Sequence, residues 1–411
     1  MIGSVLFYVQ HLLGIGHFRR ALLIADALAR EGIEVTLVSG GEPVAGLACA
    51  PAVRIVQLPT IRARDASFRE LIDATGRLVD DDLRNLRRAA LLRTLSEAQP
   101  DAILIEAFPF GRRAFRFELD ALVGTARSRR PRPLVLCSLR DIVVIPDDQK
   151  RRREIVDRVR ADFDFVLVHG DPAFIPLEAS FPAAPDISDR LIYTGYIGKA
   201  DAPDGVRASA GSDEMVGSDE VVVSVGGGAV GAHLLSTALE TRRRGLLAEF
   251  TWRLLAGPNL PDPQFQALAS SLPKGVIIER YRREFPQILR RCRVSVSQAG
   301  YNTILDILAA RTAAVVVPFA SERETEQSLR AERLAARGVL EVVHEHELSP
   351  ERLAGAIDRA ISRAPKPIVI ATGGARRAGT LIAGMIRSRK DAAAGSVENF
   401  VLQRSGAMIR P

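Results

Sequence analysis

Short apolar runs alternate with stretches of helical periodicity along nearly the whole chain. Ser4 to Val9 is a continuous apolar run, which predicts a buried strand. A glycine loop follows, then a helix from about Arg19 to Arg30, stopped by Gly32, and a second strand at Glu34 to Val38. This is a βαβ unit. Further strands are predicted at Ala102 to Glu106, Leu134 to Ser138 and Phe165 to His169. Ala200 to Asp219 is rich in Gly, Ser, Ala and Asp, as linkers are. A second alternating series then begins. It has a strand at Val221 to Val225, a Gly226-Gly227-Gly228 turn, a helix over Val230 to Arg243, and strands at Thr251 to Ala256 and Val276 to Glu279. The strand Val294 to Val296 leads through Ala299-Gly300 into a helix at Thr303 to Ala310. Ala313 to Val317 reads as a fully buried parallel strand, and Glu326-Gln327 opens the next helix. Gly373 to Ser388 reads as a helix. The pattern predicts an α/β protein of two doubly wound domains: residues 1–199, a linker at 200–219, residues 220–388, and a tail at 389–411.

At 411 residues the chain is too long for one core. Its 47% hydrophobic and 26% charged residues are those of a soluble globular protein. Cys49, Cys137 and Cys292 are scattered and form no metal or disulfide pattern, so a reducing cytoplasm is expected. The opening MIGSVLFYVQHLLGIGH lacks a basic n-region and a cleavage site, so no signal peptide is expected. No apolar run reaches the ~18 residues of a membrane span. The net charge is +7 and rests mainly on arginine. Arg62 to Arg93 reads as an arginine-rich helical stretch, interrupted by Asp80-Asp81-Asp82. Such a stretch is either a solvated face or one that leans on anionic lipid or a phosphorylated acceptor. No recognition motif or aromatic interleaving accompanies the charge, so nucleic acid is not an expected partner.

The candidate chemistry sits at strand ends. The first loop is Gly14-Ile15-Gly16-His17-Phe18-Arg19. Arg19 occupies the third glycine position, so it is no dinucleotide fingerprint. Paired glycines let backbone approach a ligand, and a helix N-terminus favours an anion. His17 could take a proton near neutral pH, or it could be a loop or capping histidine. The second loop, with Gly226, Gly228 and Gly231, formally matches G-x-G-x-x-G. A dinucleotide site also needs an acid ending the next strand. Glu249 precedes that strand instead, so a phosphate-approach turn is the better reading. Asp306 can accept hydrogen bonds from paired ribose hydroxyls, as can Glu326, and Gln327 can contact a sugar. Each alone could be an exposed helix-start residue; their joint placement past strand ends points to a ligand site. Lys199, at the linker edge, could pair with a diphosphate or be a solvated charge. Glu106, Arg112, Arg113 and the pair Arg140-Asp141 follow apolar strands, and Arg140-Asp141 could equally be an internal salt bridge. Nothing stands out as a D-x-D metal site.

With these residues in hand, the chain resembles a GT-B glycosyltransferase and is similar to glycosyltransferase family 28. The best-known member of that family attaches N-acetylglucosamine to the lipid-linked peptidoglycan precursor. Ser297-x-Ala299-Gly300-x-x-Thr303-x-x-Asp306 stands where the family has S-x-A-G-x-x-T-x-x-E. Pro318-Phe319, Glu326-Gln327, Arg330-Ala331 and Leu334 resemble its P-F…Q-Q-x-x-N-A-x-x-L. Gly226-Gly227-Gly228 stands at its diphosphate loop, and Lys199 where an arginine contacts the diphosphate. Gly14-x-Gly16-His17 matches its first glycine loop. With Arg20 it also meets the G-x-G-H-x-x-R of a related nucleotide-sugar hydrolase, where the histidine serves as base. GYNTILDIL, the E-Q-x-x-R-A-E-R-L run and FPFGRRAFRFEL resemble a poorly characterised group of predicted bacterial glycosyltransferases.

The resemblance implies two Rossmann-like domains facing across a cleft, with acceptor on the N-terminal side and donor on the C-terminal side. It implies inverting transfer from a nucleoside-diphosphate sugar, UDP-linked in the family, with no cofactor and no metal. The implied base is His17, with Glu106 and Asp141 as alternatives. The donor residues are Lys199, Gly226, Gly227, Gly228, Gly300, Thr303, Asp306, Glu326 and Gln327. Gly14, Gly16, Arg112 and Arg140 lie on the acceptor side. The acceptor, lipid-linked or a small molecule, is not read from the sequence. A cytoplasmic protein is expected, with contact to the inner face of the membrane as an option. A nucleotide-sugar hydrolase, a 2-epimerase and a non-catalytic nucleotide-sugar binder remain rivals.

Overall fold

The computed structural model describes residues 2–12, 15–44, 49–65, 70–144, 148–198, 216–226, 231–258, 260–282, 284–319, 326–363, 366 and 368–393. The chain divides into two compact units. One holds the chain up to Leu139, Arg158–Leu167 and the chain from Ala375 onward; the other holds Arg140–Asp157 and Val168–Gly374.

Nine strands come first in the chain: β1 (Gly3–Val9), β2 (Ile33–Ser39), β3 (Val53–Gln57), β4 (Arg62–Ala63), β5 (Leu71–Ile72), β6 (Ala102–Glu106), β7 (Leu134–Arg140), β8 (Phe165–His169) and β9 (Leu191–Tyr193). Seven of them form a sheet in the order β3-β2-β1-β6-β7-β8-β9. β1 pairs in parallel with both β2 and β6. From β1 the chain winds outward through β2 and β3, then returns to β6 on the other side. The strand order therefore reverses between β1 and β6, and that reversal opens a crevice at their C-terminal ends. The run that predicted β1 is buried on both faces, Val5 to Val9 being enclosed throughout.

Four helices accompany these strands: α1 (Gly16–Arg30), α2 (Asp81–Ala98), α3 (Arg116–Ser128) and α4 (Gln149–Asp162). α1 buries Phe18, Ala21, Leu22, Ala25 and Leu28, which share one face at helical spacing. The expected helix over Arg62 to Arg93 is corrected: its first part is the short antiparallel pair β4 and β5, and α2 begins at Asp81. The reason is local carboxylate chemistry. Asp73 accepts the backbone N–H groups of Thr75 and Arg77, closing a turn at Gly76. Asp80 caps α2 by accepting Leu83 N–H at 2.8 Å. Asp81 and Asp82 then lie in the first turn, where the helix dipole favours acids. The triple aspartate is thus the start of a helix.

Inside this unit Arg87 of α2 is fully buried with Glu118 of α3. Glu118 also accepts the Tyr8 hydroxyl at 2.6 Å. Arg87 donates further to Gly40 O, Pro59 O and Gln10 Oε1. One arginine therefore ties both helices to the loops that leave β1 and β2.

The second series holds β10 (Val221–Ser224), α5 (Ala232–Thr241), β11 (Trp252–Leu255), α6 (Asp262–Ala269), β12 (Val276–Glu279), α7 (Phe285–Arg291), β13 (Val294–Ser297), α8 (Tyr301–Ala310), β14 (Ala314–Val316), α9 (Glu326–Ala335), β15 (Glu341–Val342) and α10 (Pro350–Ser362). Its six strands run in the order β12-β11-β10-β13-β14-β15, so this sheet reverses between β10 and β13. Val221, Val223, Trp252, Leu254, Val294, Val296 and Val315 form its core with α5 and α10. Gly231 precedes α5 with φ +124, and a side-chain carbon there would fall 2.5 Å from Val225 Cβ. No side chain fits that approach.

The last described helix, α11 (Gly374–Ala393), packs in the first unit. Gly379 lies against the Ala27 backbone of α1, and Lys390 Nζ pairs with Asp101 at 2.9 Å. Among the described residues no helix is long and apolar enough to cross a membrane.

Candidate functional site

The crevice of the first sheet brings His17 and Glu106 together. His17 is the second residue of α1 and Glu106 the last of β6; His17 Nδ1 lies 2.5 Å from Glu106 Oε1. The other carboxylate oxygen accepts Arg112 Nε at 3.1 Å and Nη2 at 2.6 Å. Glu106 is 5% exposed. Burial acts to raise its pKa, but Arg112 and His17 outweigh that and hold the carboxyl far below the usual range. An ionised carboxylate only accepts, so the proton between the pair sits on His17 Nδ1. That assigns Nε2 as the proton-accepting nitrogen. The loop after β6 achieves this by bending sharply. Ala107 and Arg112 both take left-handed backbone, with φ of 62° and 59°. Non-glycine residues pay roughly 1–2 kcal/mol there. The buried rings of Phe108 and Phe110 anchor the bend.

His11, at the end of β1, was not a sequence candidate. It is 3% exposed, with Nε2 3.0 Å from Glu42 O. A carbonyl only accepts, so Nε2 carries the proton; Nδ1 is buried without a partner among the described residues. Burial lowers its pKa, so the ring is neutral at pH 7. The sequence signal was its position at a strand end ahead of a glycine loop. Gly16 has open space where a side chain would stand. Gly14 lies outside the described residues.

In the second unit, Gly226 and Gly300 follow β10 and β13 on either side of the second reversal. Gly226 has φ +69, with open space where a side chain would stand. Gly300 caps α8, so Thr303 and Asp306 lie in its first two turns, both half-buried. Below these turns the hydroxyls of Ser224, Ser295 and Ser297 are buried without partners among the described residues. Gln327 accepts Phe319 N–H at 3.1 Å, which turns its carboxamide oxygen inward. Lys199, Gly227 and Gly228 lie outside the described residues.

Glu326 is buried and bound on both oxygens. Arg140 donates to Oε2, and Arg330, one turn along α9, donates to Oε1 at 2.9 Å. Arg330 also reaches both oxygens of Asp141 at 3.2 Å, and the Tyr196 hydroxyl donates to Asp141 at 2.9 Å. Burial acts to lower the Arg330 pKa, and Asp141 and Glu326 overcome it, so the guanidinium stays charged. Its face lies 5.4 Å from the Tyr301 ring centre, and Tyr301 OH accepts Ile197 N–H. Asp141 and Glu326 thus share a buried ionic cluster, while His17, Glu106 and Arg112 form a separate one. Arg330 and Tyr196 complete the first cluster, although neither was a sequence candidate for the site. The signal for Arg330 was its place four residues after Glu326. Among the described residues no group of three or more His, Cys, Asp or Glu side chains is placed to hold a metal ion.

Residues 222–403 match the glycosyltransferase family 28 C-terminal domain. The chain is 29% identical over 176 residues to a protein of Geobacillus kaustophilus, covering 42% of this chain and 47% of that one. That relative is a UDP-N-acetylglucosamine–N-acetylmuramyl-(pentapeptide) pyrophosphoryl-undecaprenol N-acetylglucosamine transferase. The chain spans about half the length of the relative (47%). Among solved structures, the calicheamicin glycosyltransferase superposes with a TM-score of 0.57 at 15% identity, covering 97% of this chain and 100% of that one. MurG of Acinetobacter baumannii superposes with a TM-score of 0.53 at 16% identity, covering 94% and 95%. The fold is GT-B, as the resemblance implied.

Proposed function

We propose, from the family 28 domain in residues 222–403 and the GT-B fold, that the protein transfers a sugar from a nucleoside-diphosphate sugar to an acceptor hydroxyl. The observation that carries the reaction chemistry is the His17–Glu106 pair at 2.5 Å, on the crevice where the first sheet reverses. Glu106 fixes the ring and its tautomer. His17 Nε2 takes the acceptor proton, the acceptor oxygen bonds to the anomeric carbon, and the bond from that carbon to the diphosphate breaks with its electron pair. Single displacement of this kind inverts the anomeric centre.

The donor reading rests on placement. Gly226, Gly300, Thr303 and Asp306 follow the C-terminal ends of β10 and β13, where open α/β sheets take ligands. In this reading Asp306 accepts the ribose hydroxyls and Gln327 meets the sugar. Gly226 to Gly228, helix N-termini and Lys199 neutralise the leaving diphosphate without a metal. UDP is the favoured nucleotide, because the Geobacillus relative is named for a UDP-sugar. A lipid-linked acceptor and peripheral attachment to the inner membrane face are consistent with that relative's name and with the arginine-rich surface. The same His17–Glu106 pair could activate water, which would make the protein a hydrolase.

Incubation with a panel of nucleotide sugars, with and without lipid extract, tests the reading. Acceptor-dependent release of nucleoside diphosphate with a glycosylated product supports transfer. Free sugar without acceptor supports hydrolysis, and an isomerised sugar supports epimerisation. No turnover and no nucleotide binding would reject a nucleotide-sugar enzyme.

A further inference from the structure

Arg112 stands in an unusual position for a surface-loop arginine. Its side chain is 12% exposed, and two of its N–H groups converge on Glu106 Oε2 while His17 holds Oε1. Its backbone is left-handed, so the loop carries strain to deliver this side chain when the exposed neighbour Arg113 is one residue away. A buried ion pair contributes little net stability, because desolvation offsets the attraction. The arrangement is better explained by what it does to the imidazole.

We infer that Arg112 is a positioning residue that sets the basicity of His17. A buried carboxylate alone at 2.5 Å would strongly favour the imidazolium. A protonated His17 cannot accept the acceptor's proton. Arg112 neutralises most of that field while leaving Glu106 ionised and able to hold Nδ1–H. The ring is then oriented, and the pull of the carboxylate toward a second ring proton is weakened. This rests on His17 serving as base.

Other titratable groups lie around the pair. From the end of β1, His11 is neutral because burial lowers its pKa. Tyr8 of β1 and Cys137 of β7 are pushed up by burial and stay uncharged. Glu118 and Arg87, beneath Tyr8, pair with each other. Glu42, after β2, acts on His11. Arg20, half-buried, follows His17 on α1 by one turn.

The test uses the full chain with Arg112→Met, Arg112→Lys and Glu106→Gln, each checked for folding by circular dichroism. The protonation midpoint of His17 is followed by nitrogen NMR of the imidazole, which needs no turnover. Arg112→Met should raise the midpoint by at least about one pH unit, Arg112→Lys by less, and Glu106→Gln should lower it. The acidic limb of the turnover profile should move in the same directions. An unmoved midpoint in folded Arg112→Met overturns the inference. If that variant does not fold, a midpoint in Arg112→Lys equal to wild type, or one in Glu106→Gln that fails to fall, overturns it. Absence of turnover on every nucleotide sugar would reject the transferase reading and leave the NMR result to stand alone.

Discussion

Asp141 and Arg330 are 189 positions apart, and one guanidinium nitrogen of Arg330 meets both Asp141 carboxylate oxygens at 3.2 Å. The same nitrogen holds Glu326, and Arg140 covers the far side of Glu326. Two arginines and two acids form a neutral cluster that pins the start of α9 to the loop leaving β7. Arg330 is therefore the keystone: it touches both acids.

Replacing Arg330 by leucine should destabilise the protein by about 3–5 kcal/mol, since it leaves two buried carboxylates without their shared partner. Urea denaturation of the second unit's transition measures this. A loss of only a few tenths, as for a surface ion pair, would show that the cluster is solvated in solution.

Acid stability should depend on Glu106. Its folded pKa lies far below the ordinary 4.5, because Arg112 and His17 overcome the effect of burial. Its stabilisation is therefore complete above about pH 4.5 and is lost as pH falls below that, where the unfolded chain takes up a proton that the native state refuses. Denaturation curves collected from about pH 7 down to about pH 3 should show a shallower loss in Glu106→Gln than in wild type. Parallel curves would count against the ion pair.

His17→Ala should lower kcat by about 10²–10⁴-fold and leave nucleotide affinity nearly unchanged, the signature of a lost general base. Collapse of nucleotide binding with normal turnover per bound donor would move His17 into the donor site.

Asp306→Ala should weaken nucleoside-diphosphate binding by about 1.5–3 kcal/mol, the worth of hydrogen bonds to a charged group. Titration calorimetry reads this directly, and an unchanged dissociation constant removes Asp306 from the site.

Much of the fold was legible because buried parallel strands are written as uninterrupted apolar runs. Ala102–Glu106 and Phe165–His169 were read with the boundaries they have, and so was the half-exposed edge strand Val276–Glu279. His17 and Glu106 were legible as residues at strand ends; their contact was not, because a pairing across 89 positions leaves no local trace. The buried arginines were harder still. Composition treats an arginine as surface, whereas Arg87 and Arg330 are enclosed by partners that only the tertiary fold supplies. The stretch before α2 was misread for the opposite reason: short-range turns at Asp73 and Asp80 override a helix-favouring composition.

The placement of α11 bears on how the chain matures. The groove it fills is bounded by residues from the first tenth of the polypeptide, Gly3 and Ala27, and by Asp101. On the ribosome α11 emerges after every strand of both sheets. The unit that holds β1 and α1 is therefore completed only when Ala375 and the residues after it are available, whereas every residue of the other unit precedes Ala375. Until then the seam lined by Gly3 and α1 is the surface a chaperone would shield.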